Sequence, residues 1–370
     1  MRIREITIKD FRCFTTKTIT FDKPLVIIEG PNGIGKTSLL EALYYSCYLR
    51  SFRTRTTRDL ILHGSQAFSI KITYEGPDGF KNQLSVGYSP TKRSVKLNNT
   101  ELTAYKDLIG SYRIIAITDE DLSLIKGSPE GRRHFMDQAI ILEYPDYRSL
   151  LKKFNSILEQ RNALLRSKRF SQDSYTLWTD QLNDISKQIR SHRRSVLKRT
   201  EEKVNQLLTN FFDSPFTVKL VYKEKNPPHP TALETQQHEQ LVKHTLFGAH
   251  LDDCKVFIAD RASKKYASRG QQKLTAMLLK IAQPTALDPQ SYVFLLDDAV
   301  SDLDAQRLKN LFAALASYKT HIIITSPLTH QLLHEICAPY DYQRIQLDAF
   351  STQGTPRKTP PNKRNKASFP

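Results

Sequence analysis

The chain has 370 residues, 39% of them hydrophobic and 25% charged, so most of it can bury a core, and its length suits two lobes of ordinary domain size. Lys and Arg number 55 against 38 Asp and Glu, a formal +17, which biases the partner towards a polyanion, nucleic acid or an anionic membrane surface. Cys13, Cys47, Cys254 and Cys337 form no CxxC pair and no apolar run approaches the ~20 residues of a membrane helix, which excludes a zinc framework, a disulfide scaffold and a membrane span, and predicts a soluble, cytoplasmic protein.

The opening residues 1–14 alternate charge with apolar side chains, unlike a secretory signal, and Ile3, Ile6 and Ile8 predict a strand. Leu25, Val26, Ile27 and Ile28 form a continuous apolar run, the pattern of a strand buried on both faces of a parallel sheet. A glycine-rich loop follows over 30–37, and from Ser38 onward good helix formers carry apolar residues at helical spacing. Residues 66–100 alternate around a turn at Gly76, Pro77, Asp78 and Gly79 and predict a hairpin or meander. Residues 113–117 predict another short buried strand.

From about residue 128 the sequence becomes long, charged and helical. Trp178, Leu182, Ile185 and Ile189 line one face of a helix, continued by Val196, Val204, Leu207 and Phe211. That stripe reads as an amphipathic helix packed on its own lobe and is too short for a coiled-coil arm. Two further buried strands, 292–296 and 321–325, flank a helix over 306–318, a βαβ unit. After Phe350 the chain carries Arg357, Lys358, Lys363, Arg364 and Lys366 with no acid, and predicts disorder. The expected organisation is an ATPase lobe from 1–120 with 285–350, a mainly helical lobe over 121–284, and a basic tail over 351–370.

The loop Gly30-Pro31-Asn32-Gly33-Ile34-Gly35-Lys36-Thr37 between strand and helix is a phosphate loop. Its glycines let backbone N–H groups turn towards phosphates, Lys36 would reach the β- and γ-phosphates, and the Thr37 hydroxyl would sit on Mg²⁺. Asp297 and Asp298 end the apolar strand 292–296; phosphoryl transfer needs one carboxylate at the metal, assigned to Asp297, and one to orient water, assigned to Asp298. Ser268-Arg269-Gly270-Gln271-Gln272-Lys273 opens a helix just upstream and makes a second anion site. Two phosphate-binding surfaces for one nucleotide are reconciled in ATP-binding-cassette proteins by dimerisation, and Ser301-Asp302-Leu303-Asp304 looks like that class's dimer-contact loop. The expected fold is therefore α/β, a P-loop NTPase of ABC-ATPase type with an SMC-like head and a mainly helical second lobe.

These motifs, with residues 119–137 (DEDLSLIKGSPEGRRHFMD) and 158–166 (LEQRNALLR), resemble the RecF family of bacterial recombination-mediator ATPases, related to SMC proteins, over nearly the whole chain to about residue 350. The resemblance implies nucleotide contacts from Asn32, Gly33, Gly35, Lys36, Thr37 and Ser38, with Arg12 nearby, and Ser268 and Gly270 acting on the nucleotide of a second copy. It implies Glu120 in the Q-loop segment close to the metal, and Asp302 and Asp304 at the dimer loop. ATP and Mg²⁺ are the implied cofactors. DNA at gaps and single-strand/double-strand junctions, a second copy of the chain, RecR and RecO are the implied partners, in loading RecA during gap repair. Thr118-Asp119-Glu120 stands where the family usually has Ser/Thr-Pro-Glu, and residues 248–253 read GAHLDD against the usual GPHRDD. Arg50, Arg53, Arg55 and Arg58, and Arg190, Arg193 and Arg194, are candidate phosphate contacts for DNA, with a solvated basic face as the alternative. A transporter's nucleotide-binding subunit is the competing function; the +17 charge, the Thr325-Ser326 pair in place of a switch histidine, and the absence of LSGGQ weigh against it.

Overall fold

The structure, a computed structural model, describes residues 1–76, 78–103, 107–108, 112–212, 216–225, 233–298, 303–327 and 331–348. Strands are β1 (Arg2–Phe11), β2 (Phe14–Thr20), β3 (Leu25–Glu29), β4 (Phe68–Glu75), β5 (Lys81–Tyr88), β6 (Arg93–Leu97), β7 (Thr100–Glu101), β8 (Ile114–Ile117), β9 (Val218–Lys223), β10 (Asp253–Ile258), β11 (Arg261–Ala262), β12 (Val293–Leu296), β13 (His321–Ser326) and β14 (Tyr342–Gln346). Helices longer than two turns or close to it are α1 (Lys36–Tyr48), α2 (Pro129–Glu143), α3 (Tyr147–Arg166), α4 (Gln172–Phe211), α5 (Leu233–Val242), α6 (Arg269–Ile281), α7 (Ala305–Ser317) and α8 (Gln331–Cys337).

Two sheets build the first lobe. One is antiparallel, in the order β2-β1-β4-β5-β6-β7; the other is wholly parallel, in the order β14-β3-β13-β12-β8. Ile3 and Ile6 are three apart yet both fully buried, because a register shift between Ile3 and Glu5 against β4 resets the alternation of β1. The central strands β3, β12 and β13 are buried along their length, as their unbroken apolar runs require. Helix α1 touches β1, β4 and β5 of one sheet and β8 of the other, so it lies between them. That position explains why almost every residue from Ser38 to Tyr48 is buried and why the helix lacks a polar face.

The second lobe is mainly helical, as expected, but it also carries a three-stranded antiparallel sheet, β11-β10-β9, that the periodicity did not reveal. Helices α3 and α4 form a hairpin joined over 167–171, and α4 runs 40 residues, roughly 60 Å. Its stripe packs on α2, α3, α6, α7 and β9 inside its own chain.

Charge locks this lobe internally, which corrects part of the basic-face expectation. Arg190 grips Asp252 with two bonds of 2.8 and 3.0 Å, and Arg193 grips Asp137 at 2.9 and 2.8 Å and the Ala249 carbonyl at 2.6 Å. Arg194 pairs with Glu224. Arg190 and Arg193 are buried and cannot face DNA. The acids of 248–253 keep a charge role without the family's arginine: Asp252 holds Arg190, and Asp253 holds Arg132 through bonds of 2.8 and 3.0 Å. Nearer the hairpin tip, Arg161 and Glu239 form an ion pair with both side chains at 0% exposure, and Arg161 lies 4.6 Å from the Tyr175 ring centre. Arg161→Met would leave Glu239 charged and buried without its cation, so it should cost about 3–5 kcal/mol and lower the urea midpoint clearly; an unchanged midpoint would refute this.

Candidate nucleotide site

Strand β3 delivers the phosphate loop from the middle of the parallel sheet, between β13 and β14. Its last residue, Glu29, is fully buried and accepts bonds from His334 Nε2 (2.6 Å) and from Arg344, which clamps the loop's root to β14 and α8. Gly33 and Gly35 have φ of +82° and +104°, and a Cβ on Gly35 would fall 2.8 Å from Cys13 Sγ and 2.9 Å from Phe14 Cζ. Glycine is required at Gly35 by backbone conformation and by space together. Lys36 arches back over the loop and donates to the carbonyls of Gly30 (2.6 Å) and Pro31 (3.1 Å). Burial holds its ammonium below the usual lysine range, while Asp298 and Asp297 oppose that shift. Ile34 is buried and anchors the loop, while Pro31 and Asn32 are exposed.

The acidic strand meets the loop. Asp297 N donates to the Ile117 carbonyl at 2.9 Å, fixing the turn after β12 against β8. Asp297 Oδ1 accepts from the hydroxyls of Thr37 (3.0 Å) and Thr325 (2.9 Å), and the Thr325 hydroxyl in turn accepts from Asp298 N (3.0 Å). Burial pushes the Asp297 carboxyl above its ordinary range; the bonds from Thr325 and Thr37 oppose the shift and Asp298 adds to it. Asp298 has φ +47°, a conformation that side chains other than glycine adopt uncommonly. Thr325, read in the sequence only as the absence of a histidine, proves to be the clasp between β13 and both aspartates. Its signal was a hydroxyl residue ending the apolar run of β13.

A hydroxyl and a carboxylate oxygen 3.0 Å apart are a donor set suited to a hard divalent cation. Among the described residues no cluster of three or more His, Cys, Asp or Glu could hold a metal. Thr37 and Asp297 therefore fit Mg²⁺ of the kind completed by substrate phosphates and water, not a cage made by protein alone.

Arg12 also reaches the site. It has φ +52°, donates to both oxygens of Glu41 at 2.8 Å, and bonds the Asp59 carbonyl at 3.1 Å. Glu41, on α1 one turn beyond Thr37, is fully buried and also accepts from Ser51. It was missed in the sequence, where its signal is a lone acid amid the apolar residues of α1. Arg12, Lys36, Thr37, Ser38, Asp297 and Asp298 line one open cleft of about 640 Å³, in the range of small-molecule sites.

Other candidates lie elsewhere. Glu120, expected at the metal, sits on the 3-10 turn Asp119–Leu122 and lines a neighbouring cavity of about 630 Å³ with Arg50, Arg55 and Lys280, apart from Thr37 and Asp297. Burial and Asp121 raise its carboxyl's pKa; Arg53, which lines the phosphate-loop cleft, opposes them. The turn forms without the family's proline because Thr118 and Asp121 make a capping box. Ser268 caps α6, accepting from Gln271 N at 3.2 Å while Gln271 Oε1 accepts from Ser268 N at 2.9 Å, and it does not line the cleft of its own chain. Gly270 lies under Arg307, whose Nη1 is 2.5 Å from where a Cβ would stand, and Arg307 pairs with Asp304 at 3.2 Å. Asp302 falls outside the described residues.

Comparison with known proteins agrees with this architecture. The family described as "RecF/RecN/SMC N terminal domain" matches residues 2–344. The DNA replication and repair protein RecF of Acholeplasma laidlawii is 32% identical over 365 residues, covering 95% of this chain and 99% of that protein. Its counterpart in Enterococcus faecalis is 30% identical over 351 residues, covering 89% and 93%. A solved structure of the recombination mediator protein RecF with ATP in the RecFOR pathway superposes with TM-score 0.79 at 23% identity, covering 89% of this chain and 92% of that one. The Smc head domain of Pyrococcus furiosus has the same fold at TM-score 0.53 and 16% identity, with coverage of 90% and 91%. A phosphate loop clasped to an acidic strand, an SMC-type head, and relatives matched almost end to end place the chain in the RecF family.

Proposed function

We propose that this protein is an ATP-driven DNA-binding switch of recombinational gap repair, which pairs with a second copy when ATP is bound and helps RecO and RecR load RecA. The observation that carries the reading is the Thr37–Asp297 contact at 3.0 Å, which joins loop and acidic strand across 260 residues of sequence and leaves Lys36 beside them. In this reading Lys36 and the N–H groups of 30–38 bind the phosphates, and Arg12, held by Glu41, lies against the nucleotide. Thr37 and Asp297 would hold Mg²⁺, whose charge would offset that of the phosphates. Asp298 orients the attacking water, and Ser268 and Gly270 of the second copy complete the γ-phosphate pocket. The lobes 1–120 with 285–350 and 121–284 would then be the two parts of each head. Asp298 is one methylene shorter than glutamate, which motivates slow, DNA-stimulated turnover. DNA would be held through its phosphates, with exposed Arg53, Arg55 and Arg58 as candidates. Among the described residues no helix is long and apolar enough to cross a membrane.

Sedimentation with gapped DNA and ATP tests the proposal. Lys36→Ala should weaken ATP binding by about 10- to 100-fold through lost charge-assisted bonds. It should also remove the ATP-dependent dimer. DNA affinity of the parent should fall on the order of 10³-fold from about 50 to about 200 mM salt. A Lys36→Ala protein that still dimerises with ATP, or a flat salt response, would sink the reading.

A further inference from the structure

The turn carrying Glu120 packs beside the helix opened by Ser268, and two ion pairs cross between them. Asp119 begins the turn, where an acid is favoured by the exposed N–H groups, and Asp121 caps it by accepting from Thr118 N at 2.8 Å. Both carboxylates also reach α6: Lys273 Nζ lies 3.0 Å from Asp119 Oδ1, and Lys280 Nζ lies 3.7 Å from Asp121 Oδ1. Lys273 and Lys280 are seven residues apart, two turns, so one face of α6 presents both ammonium groups. Lys273 and Lys280 are only 8% and 10% exposed. Asp121 is 18% exposed, so water screens its pair with Lys280 less than an ordinary surface pair. Asp119 is 59% exposed, and its pair with Lys273 is screened from the acid's side. Between turn and helix lies a cavity of about 240 Å³, lined by Asp119, Asp121 and Leu122 of the turn and by Lys273, Ala276 and Met277 of α6, so charged and apolar groups share it.

That combination sets the mechanical character of the joint. Packed apolar contacts lose a quarter to a half of their attraction over a gap of roughly 0.5–1 Å. A Coulomb pair weakens only as the inverse of distance. Two ion pairs beside a cavity can therefore keep helix and turn connected while they shift relative to each other, which close packing would not allow. Lys273 leaves α6 one turn beyond Ser268, and Asp119 adjoins Glu120, so the pair links the two polar groups that lie outside the cleft of their own chain.

We infer that Asp119 and Lys273 are a positioning pair, an ionic strut that sets where the Ser268 end of α6 stands relative to the Glu120 turn. The inference rests on the proposed function in one respect: Ser268 must meet the nucleotide of a second copy for the strut to affect ATP-dependent pairing.

The test uses the full chain with Asp119→Asn, Lys273→Met and the charge-swapped double variant Asp119→Lys with Lys273→Asp. The first readout needs no nucleotide: amide hydrogen exchange over 118–122. Each single variant should speed exchange there about five-fold, the worth of a modest ion pair, and leave the α1 amides unchanged. The swap should restore protection. The second readout is ATP-dependent dimerisation. Single variants should weaken it about ten-fold, with ATP affinity of the monomer within about two-fold of the parent, and the swap should recover it. Exchange that stays at the parent rate, or a swap no better than the worse single variant, overturns the strut. Faster exchange with unchanged dimerisation overturns its positioning role. A parent that never dimerises with ATP overturns the dimer reading instead, and the exchange arm still decides whether the strut exists.

Discussion

Asp297→Asn should lower ATP hydrolysis by on the order of 10³-fold while leaving the free protein at least as stable as the parent at neutral pH. Thr37 and Thr325 both donate to Oδ1 of Asp297, and an asparagine oxygen can accept the same two bonds, so the local geometry survives. What is lost is the carboxylate charge suited to the metal. Stability should not fall, because burial raises this carboxyl's pKa in the folded chain. An acid with a raised folded pKa disfavours folding once the pH passes its unfolded value, about 3.9, and that penalty vanishes at lower pH. The melting temperature of the variant should thus equal or exceed the parent's at pH 7, and the difference should shrink as the pH falls to about 4. Calorimetry at both pH values with a phosphate-release assay checks this. A variant less stable at pH 7, or hydrolysis within about ten-fold of the parent, would contradict the assignment.

At Ser268 two substitutions should separate capping from catalysis. Ser268→Arg removes the hydroxyl that accepts from Gln271 N and places a bulky cation at the end of α6. Losing the cap should cost about 1 kcal/mol, and α6 should remain docked because its residues from Gln272 to Ile281 are buried. Ser268→Asp keeps a good capping side chain and sets a negative charge where a partner's γ-phosphate would come. Both should abolish ATP-dependent dimers and cut hydrolysis by on the order of 10³-fold, the scale of losing a group supplied in trans to phosphoryl transfer. Monomer ATP affinity should be unchanged. Matched sedimentation and nucleotide titration are decisive: reduced ATP binding by the monomer would mean that Ser268 acts on the nucleotide of its own chain.

The same residues show where sequence reading succeeds. The phosphate loop, Asp297 with Asp298, and the buried strands 25–28, 292–296 and 321–325 all stand where their patterns placed them, because each depends on a contiguous run. Strand β14 and the small sheet β9–β11 escaped notice: β14 is short and mixed in polarity, and β9 and β10 pair across about thirty residues of intervening chain. Arg190 and Arg193 read as basic surface, since nothing local tells a buried guanidinium from a solvated one when its partners, Asp252 and Asp137, lie 62 and 56 residues away.

By itself the sequence determined the ligand class and the fold class. A loop that curls around phosphates and strands buried on both faces are local demands on backbone conformation and hydrophobicity, and neighbouring residues satisfy them. Only the tertiary structure decided which groups face each other: Thr325 against both aspartates, Glu41 under Arg12, Glu120 in its own cavity, and Lys273 on Asp119. Hydrogen bonds and ion pairs act over a few ångströms of space regardless of sequence separation, so their partners are known only once the chain has closed on itself.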